Sequence, residues 1–247
     1  SSAEEEMKTM SKKKKVLLVL GVLFGLLVLF LLDFLSDAGV FRSIEPHFAG
    51  GCRPVEGVYG SEDMVVDREA GKVYLSSADF RSVAAGRSVR GAIHVFELDG
   101  EGRAPSQLEH DLDGPLVPHG IDLYRGEDGE RRLFVVNHPE PTASRIEIFA
   151  IEGERLRHLR TIEGPELVSI NDITAVGPES FYATNDAGTA PNDALRPFET
   201  YLRLPWSNVV YFDGDDLRFV AEGLRYGNGI AISEDGTTLF VAETTGR

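Results

Sequence analysis

Four polar pairs recur along the chain, each opening a short apolar run. Glu62-Asp63, His119-Gly120, Asn171-Asp172 and Asn228-Gly229 begin EDMVVD, HGIDLY, NDITAV and NGIAIS. Their second members stand at 63, 120, 172 and 229, steps of 57, 52 and 57 residues. Asp, Glu and Asn supply the oxygens that hard cations take, and calcium wants six to eight of them. Glu62, Asn171 and Asn228 form the natural inward-facing set, with Asp63 and Asp172 as their immediate neighbours. Adjacent residues of an extended chain point opposite ways, so the two members of a pair do not easily share one ion. The pattern therefore predicts two calcium sites stacked along an axis. Any one of these residues alone is an ordinary turn residue; the repetition in phase is the signal. His119 breaks the series, and His138 ends the next strand, in VVNHPE. An imidazole beside a metal can act as general base on water at neutral pH. Asp186, in ATNDAG, ends the equivalent strand of the following unit, where it accepts a proton, orients an imidazole or simply makes a turn.

A period near fifty residues, built from short strands, reads as a β-propeller whose first strands line a central axis. Second strands follow as KVYLSSAD, RRLFVVNH, SFYATND and TTLFVAET, and third strands as GAIHVFELDG, SRIEIFAIEG and NVVYFDGD. Fourth strands are RLRHLRTI and DLRFVAEGL, with SQLEHDLD fainter. Apolar and polar residues alternate in many of these runs, as in half-buried strands. Turn signals separate them at Asp99-Gly100, Glu127-Asp128-Gly129, Asp213-Gly214 and Glu234-Asp235-Gly236. The expectation is an all-β propeller over 52–247, covering about three and a half blades. An unfinished blade leaves a sheet edge unpaired, and the first residue is Ser1 rather than Met. The sequence thus reads as a fragment of a longer protein, inactive by itself. Residues 184–207 are the longest interruption of the strand pattern. They follow a second strand and should overhang the tunnel mouth, where Phe198, Tyr201, Leu204 and Trp206 line a pocket, touch a membrane or simply pack.

Residues 1–15 are a basic N-terminus, 16–35 a transmembrane signal-anchor and 36–51 a linker. Val16 to Leu32 is uniformly apolar or Gly and spans about 26 Å at ~1.5 Å per residue. Lys12 to Lys15 should stay cytoplasmic, placing the propeller in a lumen or outside the cell. The competing reading is a signal peptide cleaved near Ser36-Asp37-Ala38, giving a secreted protein. The formal charge of −15 argues against nucleic acid as a partner. Cys52 is the one cysteine; in a lumenal protein it predicts a disulfide to a partner outside this sequence, and otherwise a free thiol. There is no G-x-S-x-G elbow, H-E-x-x-H, Walker loop or G-x-G-x-x-G.

The motifs GSEDM (60–64), PHGI (118–121), LFVVNHP (133–139), NDITAVGPESFYATND (171–186), NVVYF (208–212) and VAEGLRYGNGIAISEDG (220–236) resemble the paraoxonase/arylesterase family of calcium-dependent lactonases. The resemblance runs from about Cys52 to Thr245. It implies a six-bladed propeller with two calcium ions in its tunnel, hydrolysing lactones and aryl esters. It implies Glu62, Asn171 and Asn228 at a catalytic calcium, and Asp63, Asp172 and the carbonyl of Ile121 at a structural one. It also implies a His119–His138 dyad, Asp186 as a proton-shuttling acid, Cys52 as half of a disulfide, and a hydrophobic N-terminus used for lipid association. Alternative readings are a gluconolactonase-like or strictosidine-synthase-like propeller enzyme, or a membrane-tethered propeller that only binds.

Overall fold

The computed structural model describes residues 10–85, 87, 89–99, 104–140 and 142–246. Residues 1–9 of the basic N-terminus and Gly100 of the Asp99-Gly100 turn lie outside the described residues. The chain divides into two units, Ser1–Cys52 and Arg53–Arg247.

The first unit contains helix α1, Lys12–Asp37. It starts earlier than the apolar run, because lysine's unbranched side chain tolerates a helix well. By length and composition it is able to cross a membrane. No α1 side chain is buried. Cys52 is exposed and free, so the chain carries no disulfide of its own.

The second unit is a series of sheets in chain order, antiparallel except where β5 joins β9. The first holds β1 (Ser61–Asp67), β2 (Lys72–Ser77), β3 (Ala92–Glu97) and the two-residue β4 (Ser106–Gln107). β5 (Glu109–His110), β6 (Pro118–Arg125), β7 (Arg131–Asn137), β8 (Arg145–Glu152) and β9 (Arg155–Ile162) form the second. β10 (Ile170–Ala175), β11 (Phe181–Asn185), β12 (Ser207–Phe212) and β13 (Leu217–Leu224) form the third, and β14 (Gly227–Ile232) with β15 (Leu239–Glu243) the last. The first strands are mutual neighbours across sheets: β1 packs on β6, β6 on β10 and β10 on β14. This is an arc of propeller blades around a common hub.

Burial explains why the central strands are nearly continuous apolar runs. Successive side chains of a strand face opposite ways, and the second blade is covered on both sides. On β7, Phe134 and Val136 enter one core with Ile148, Phe181 and Phe212, on the side of blade three. Leu133 and Val135 enter the other core, with Tyr74, Ile93 and Phe149, on the side of blade one. Phe181 bridges Phe134 and Phe212 at ring separations of 6.1 and 5.4 Å.

Two expectations need correction. SQLEHDLD is not one outer strand: β4 closes the first sheet, and β5 crosses to run parallel to β9 in the second. The switch turns on Leu108, which is buried in the core shared with Phe149 and Leu156. The stretch 184–207 is not free of regular structure either. It contains helix α3, Arg196–Leu202, with Pro197 in its first turn, where a missing N–H costs nothing. The sequence reading also passed over a short helix α2, Phe80–Ala84, after β2, whose N-cap Asp79 accepts the Ser82 N–H.

Candidate functional site

Every inner strand is irregular at its polar pair. The ladder register shifts between Ser61 and Met64, Pro118 and Ile121, Ile170 and Asp172, and Gly227 and Ile230. A bulge re-aims side chains that strict alternation would send to opposite faces. The four pairs therefore sit at equivalent bulges of the inner strands.

The second members tie blade to blade. Asp63 accepts the Met64 N–H at 2.7 Å on one oxygen and the Ile121 N–H at 2.8 Å on the other. Asp172 repeats this with the N–H groups of Ile173 at 2.8 Å and Ile230 at 2.9 Å. Thr184 links the same level to the last sheet, donating to the carbonyl of Asn228 at 2.6 Å. Gly120 occupies the equivalent position on β6, and a Cβ there would lie 2.6 Å from Asp172 Cα and 2.7 Å from the Asn171 carbonyl. Only glycine permits that approach. Burial raises the Asp63 carboxyl. Burial, together with the charges of Asp63 and Asp122, pushes Asp172 up to about 7. Carboxylates crowded in this way have the chemistry of a donor set for a hard divalent cation.

At the level of the first members, the His119 ring lies between two acceptors. Nδ1 is 2.7 Å from the Asn171 carbonyl oxygen, and Nε2 is 3.4 Å from Glu62 Oε1. The ring meets His138 edge-on at 5.4 Å and Phe80 at 5.3 Å. Burial raises Glu62, opposed by His119. Burial and then the His119 charge hold His138 down at about 4. Its Nδ1 faces Ser144 Oγ at 3.3 Å and the Ala143 carbonyl at 3.4 Å.

The structure thus joins Glu62, His119, His138 and Asn171 directly, and pairs Asp63 with Ile121. Asn228 is turned along its own sheet, where Nδ2 donates to Thr244 Oγ1 at 2.9 Å. Asp186 is engaged by Arg196 of α3 at 2.8 Å. Among the described residues no three His, Cys, Asp or Glu side chains form a metal-holding group. The expected sets differ in kind, because they join one or two carboxylates to amide or backbone oxygens, and those donors suit calcium. The sequence reading missed Phe80, Ser144 and Asp122. Of these only Asp122 left a trace, two residues after a glycine that breaks the acidic series.

The fold and hub define a β-propeller with an oxygen-rich axis carrying a histidine pair. The Arylesterase family profile matches residues 107–247, and the chain belongs to the paraoxonase/arylesterase family. Serum paraoxonase/arylesterase 1 of Mus musculus is 38% identical over 219 residues, covering 85% of this chain and 61% of its own length. The protein of the same name from Homo sapiens is 36% identical over 222 residues, with the same coverage. Serum paraoxonase/arylesterase 2 of Bos taurus is 48% identical over 128 residues, covering 51% of this chain and 36% of its own. The chain thus spans about three fifths of the length of its full-range relatives. Among solved structures, a calcium-binding regucalcin from Agrobacterium tumefaciens aligns with a TM-score of 0.44 at 12% identity, covering 77% of this chain and 52% of that one.

Proposed function

We propose that the protein is a calcium-dependent hydrolase of lactones and aryl esters. The observation that supports this most is the His119 imidazole, held between Glu62 and Asn171 and packed against His138. Glu62, Asn171 and Asn228 would hold one calcium, and Asp63, Asp172 and the Ile121 carbonyl a second. An ion held at the first position would supply positive charge to stabilise the oxyanion of an ester or lactone carbonyl.

The chain's own groups manage the proton. With Nδ1–H donated to the Asn171 carbonyl, the lone pair of His119 sits on Nε2. A proton taken from water at Nε2 arrives beside the Glu62 carboxylate, so the imidazolium forms between two acceptors. His138, neutral at pH 7 because of its burial, would receive that proton in this reading. Asp186, at the corresponding strand end of the next blade, is the third protonic group of the mouth. Phe80 walls the His119 ring on its other side. Helix α1 is proposed as a signal-anchor that holds the propeller on the lumenal or outer face of a membrane.

The test uses the whole protein with a lactone and an aryl ester. His119→Gln should lower turnover by roughly 10²- to 10⁴-fold while calcium content stays at the wild-type value. Unchanged turnover removes the base assignment. Asn171→Ala should weaken both calcium binding and turnover; wild-type values for both dismiss it as a ligand.

A further inference from the structure

The blade-to-blade bonds at the hub follow one rule with one displacement. At the first junction Asp63 reaches the N–H of Ile121, and at the third Asp172 reaches that of Ile230, each 58 residues on. In both cases the carboxylate bonds one residue further along the neighbouring inner strand. At the middle junction the corresponding position is Gly120, which has no side chain to offer. There Asp122, two residues along the same strand and, like Gly120, facing β10, makes the equivalent diagonal bond. Its Oδ2 accepts the Ala175 N–H at 2.8 Å and the Thr174 hydroxyl at 3.1 Å, while Oδ1 accepts its own Leu123 N–H at 2.8 Å.

The displacement has a positional consequence. His119 meets Asn171, a Cβ on Gly120 would meet Asp172, and Asp122 meets Thr174, all at a chain offset of 52. β6 and β10 therefore lie in phase over this stretch. One end of it carries the imidazole contact and the other the Asp122 bond, about 10 Å apart at ~3.3 Å per residue. No ladder hydrogen bonds join β6 to β10, because they belong to different sheets. Their relative slide must be fixed by side chains, and Gly120 contributes none.

We propose that Asp122 is a positioning residue: it fixes the slide of β6 against β10, and thereby the approach of His119 to Asn171, through an acceptor oxygen rather than through its charge or any bound cation. This deepens the hydrolase reading and, for its activity readout, rests on it.

Two substitutions in the whole protein separate the possibilities. Asn at 122 keeps one acceptor oxygen, the one that Ala175 and Thr174 need, while it removes the charge and the acceptor of the local Leu123 N–H; Ala removes all three. Hydrogen exchange of the 170–176 segment is read together with kcat, KM and bound calcium. Asp122→Ala should raise exchange at the Ala175 amide at least tenfold and lower kcat about tenfold with little change in KM, a loss that reports misplacement of a reacting group. Asp122→Asn should restore both to within about twofold of wild type, since the oxygen that faces Ala175 across the junction is retained and only the local Leu123 contact is lost. A calcium loss in Asp122→Asn equal to that in Asp122→Ala would overturn the proposal in favour of a charge role. So would unchanged exchange in Asp122→Ala, and so would a lowered thermal midpoint with kcat intact. If the wild-type protein hydrolyses neither substrate, the hydrolase reading fails alone. The exchange pattern, with the ¹⁵N shift of His119 Nδ1, still decides the role of Asp122.

Discussion

Blades two and three place an asparagine and then a titratable group at the same point, the end of the second strand. Asn137 and Asn185 are both fully buried. Asn137 accepts the Val117 N–H at 2.9 Å and donates to the Pro115 carbonyl at 3.2 Å. Asn185 accepts the Ser169 N–H and donates to the Glu166 carbonyl, both at 2.8 Å. Each amide thus plugs the chain that enters its blade's inner strand. The next residue repeats too, since the N–H of His138 donates to Val117 and that of Asp186 to Ser169. Beyond the backbone the two part. His138 turns onto His119, while Asp186 is met by Arg196, which also donates to Ser169 Oγ and the Thr189 carbonyl. Backbone geometry fixes where such a group stands; the following loop decides what it touches. After β7 the loop brings Ala143 and Ser144, and after β11 it brings a helix carrying an arginine.

The largest expected effect tests the shared half of this comparison. Asn137 also donates to the buried carboxylate of Glu147 at 2.9 Å, whereas Asn185 donates to the neutral amide of Asn208 at 2.7 Å. Hydrogen bonds to charged groups are worth more, so Asn137→Ala should cost about 3 kcal/mol and Asn185→Ala about 2 kcal/mol. Denaturant midpoints measure this, and equal losses would erase the distinction.

The divergent half is tested by activity. His138→Gln should reduce lactone turnover about 10²-fold, and Asp186→Asn by less than about tenfold, because Asp186 is engaged by Arg196. A greater loss at Asp186 would reverse the assignment.

The pH dependence of stability sharpens the same contrast. The His138 pKa is lowered from 6.5 to about 4 in the folded state, so between those values the unfolded chain binds the extra proton. The stability this group contributes is complete above about pH 6.5 and is lost as pH falls toward 4. His138→Gln should remove this acid-side loss and leave the opposite slope of Asp172, whose raised carboxyl binds its proton in the folded state below about pH 7; Asp186→Asn should leave the His138 contribution in place.

The smallest effect concerns the anchor of α3. Buried Glu199 accepts the N–H of Gly188 at 2.7 Å and that of Thr189 at 3.0 Å. It also accepts the Thr189 hydroxyl. Glu199→Gln should cost roughly 1 kcal/mol and speed proteolysis within 188–204. An unchanged cleavage rate would mean that α3 is held by other contacts.

The all-β class and most of the strand order over this chain were legible in the sequence, because a covered strand must read as an apolar run and a turn must read as Gly with Asp or Asn. RRLFVVN and NVVYF show this directly, and the phase of the polar pairs located the hub. SQLEHDLD was harder, since a two-residue strand carries no period, and its change of sheet depends on where Leu108 finds a core. RPFETYL was read as loop because seven residues are too few to display a helical face.

The sequence by itself determined the repeat, its family and the residue types available at the axis, since these are properties of order along the chain. The tertiary structure alone decided which of those residues meet. Bulges re-aim side chains that alternation would have separated, and inner strands of different sheets slide freely until side chains stop them. Glu62 beside His119, Asp186 turned to Arg196, and Asp122 standing in for the side chain Gly120 lacks are all contacts between segments distant in sequence or set by a loop fold. No local pattern encodes them.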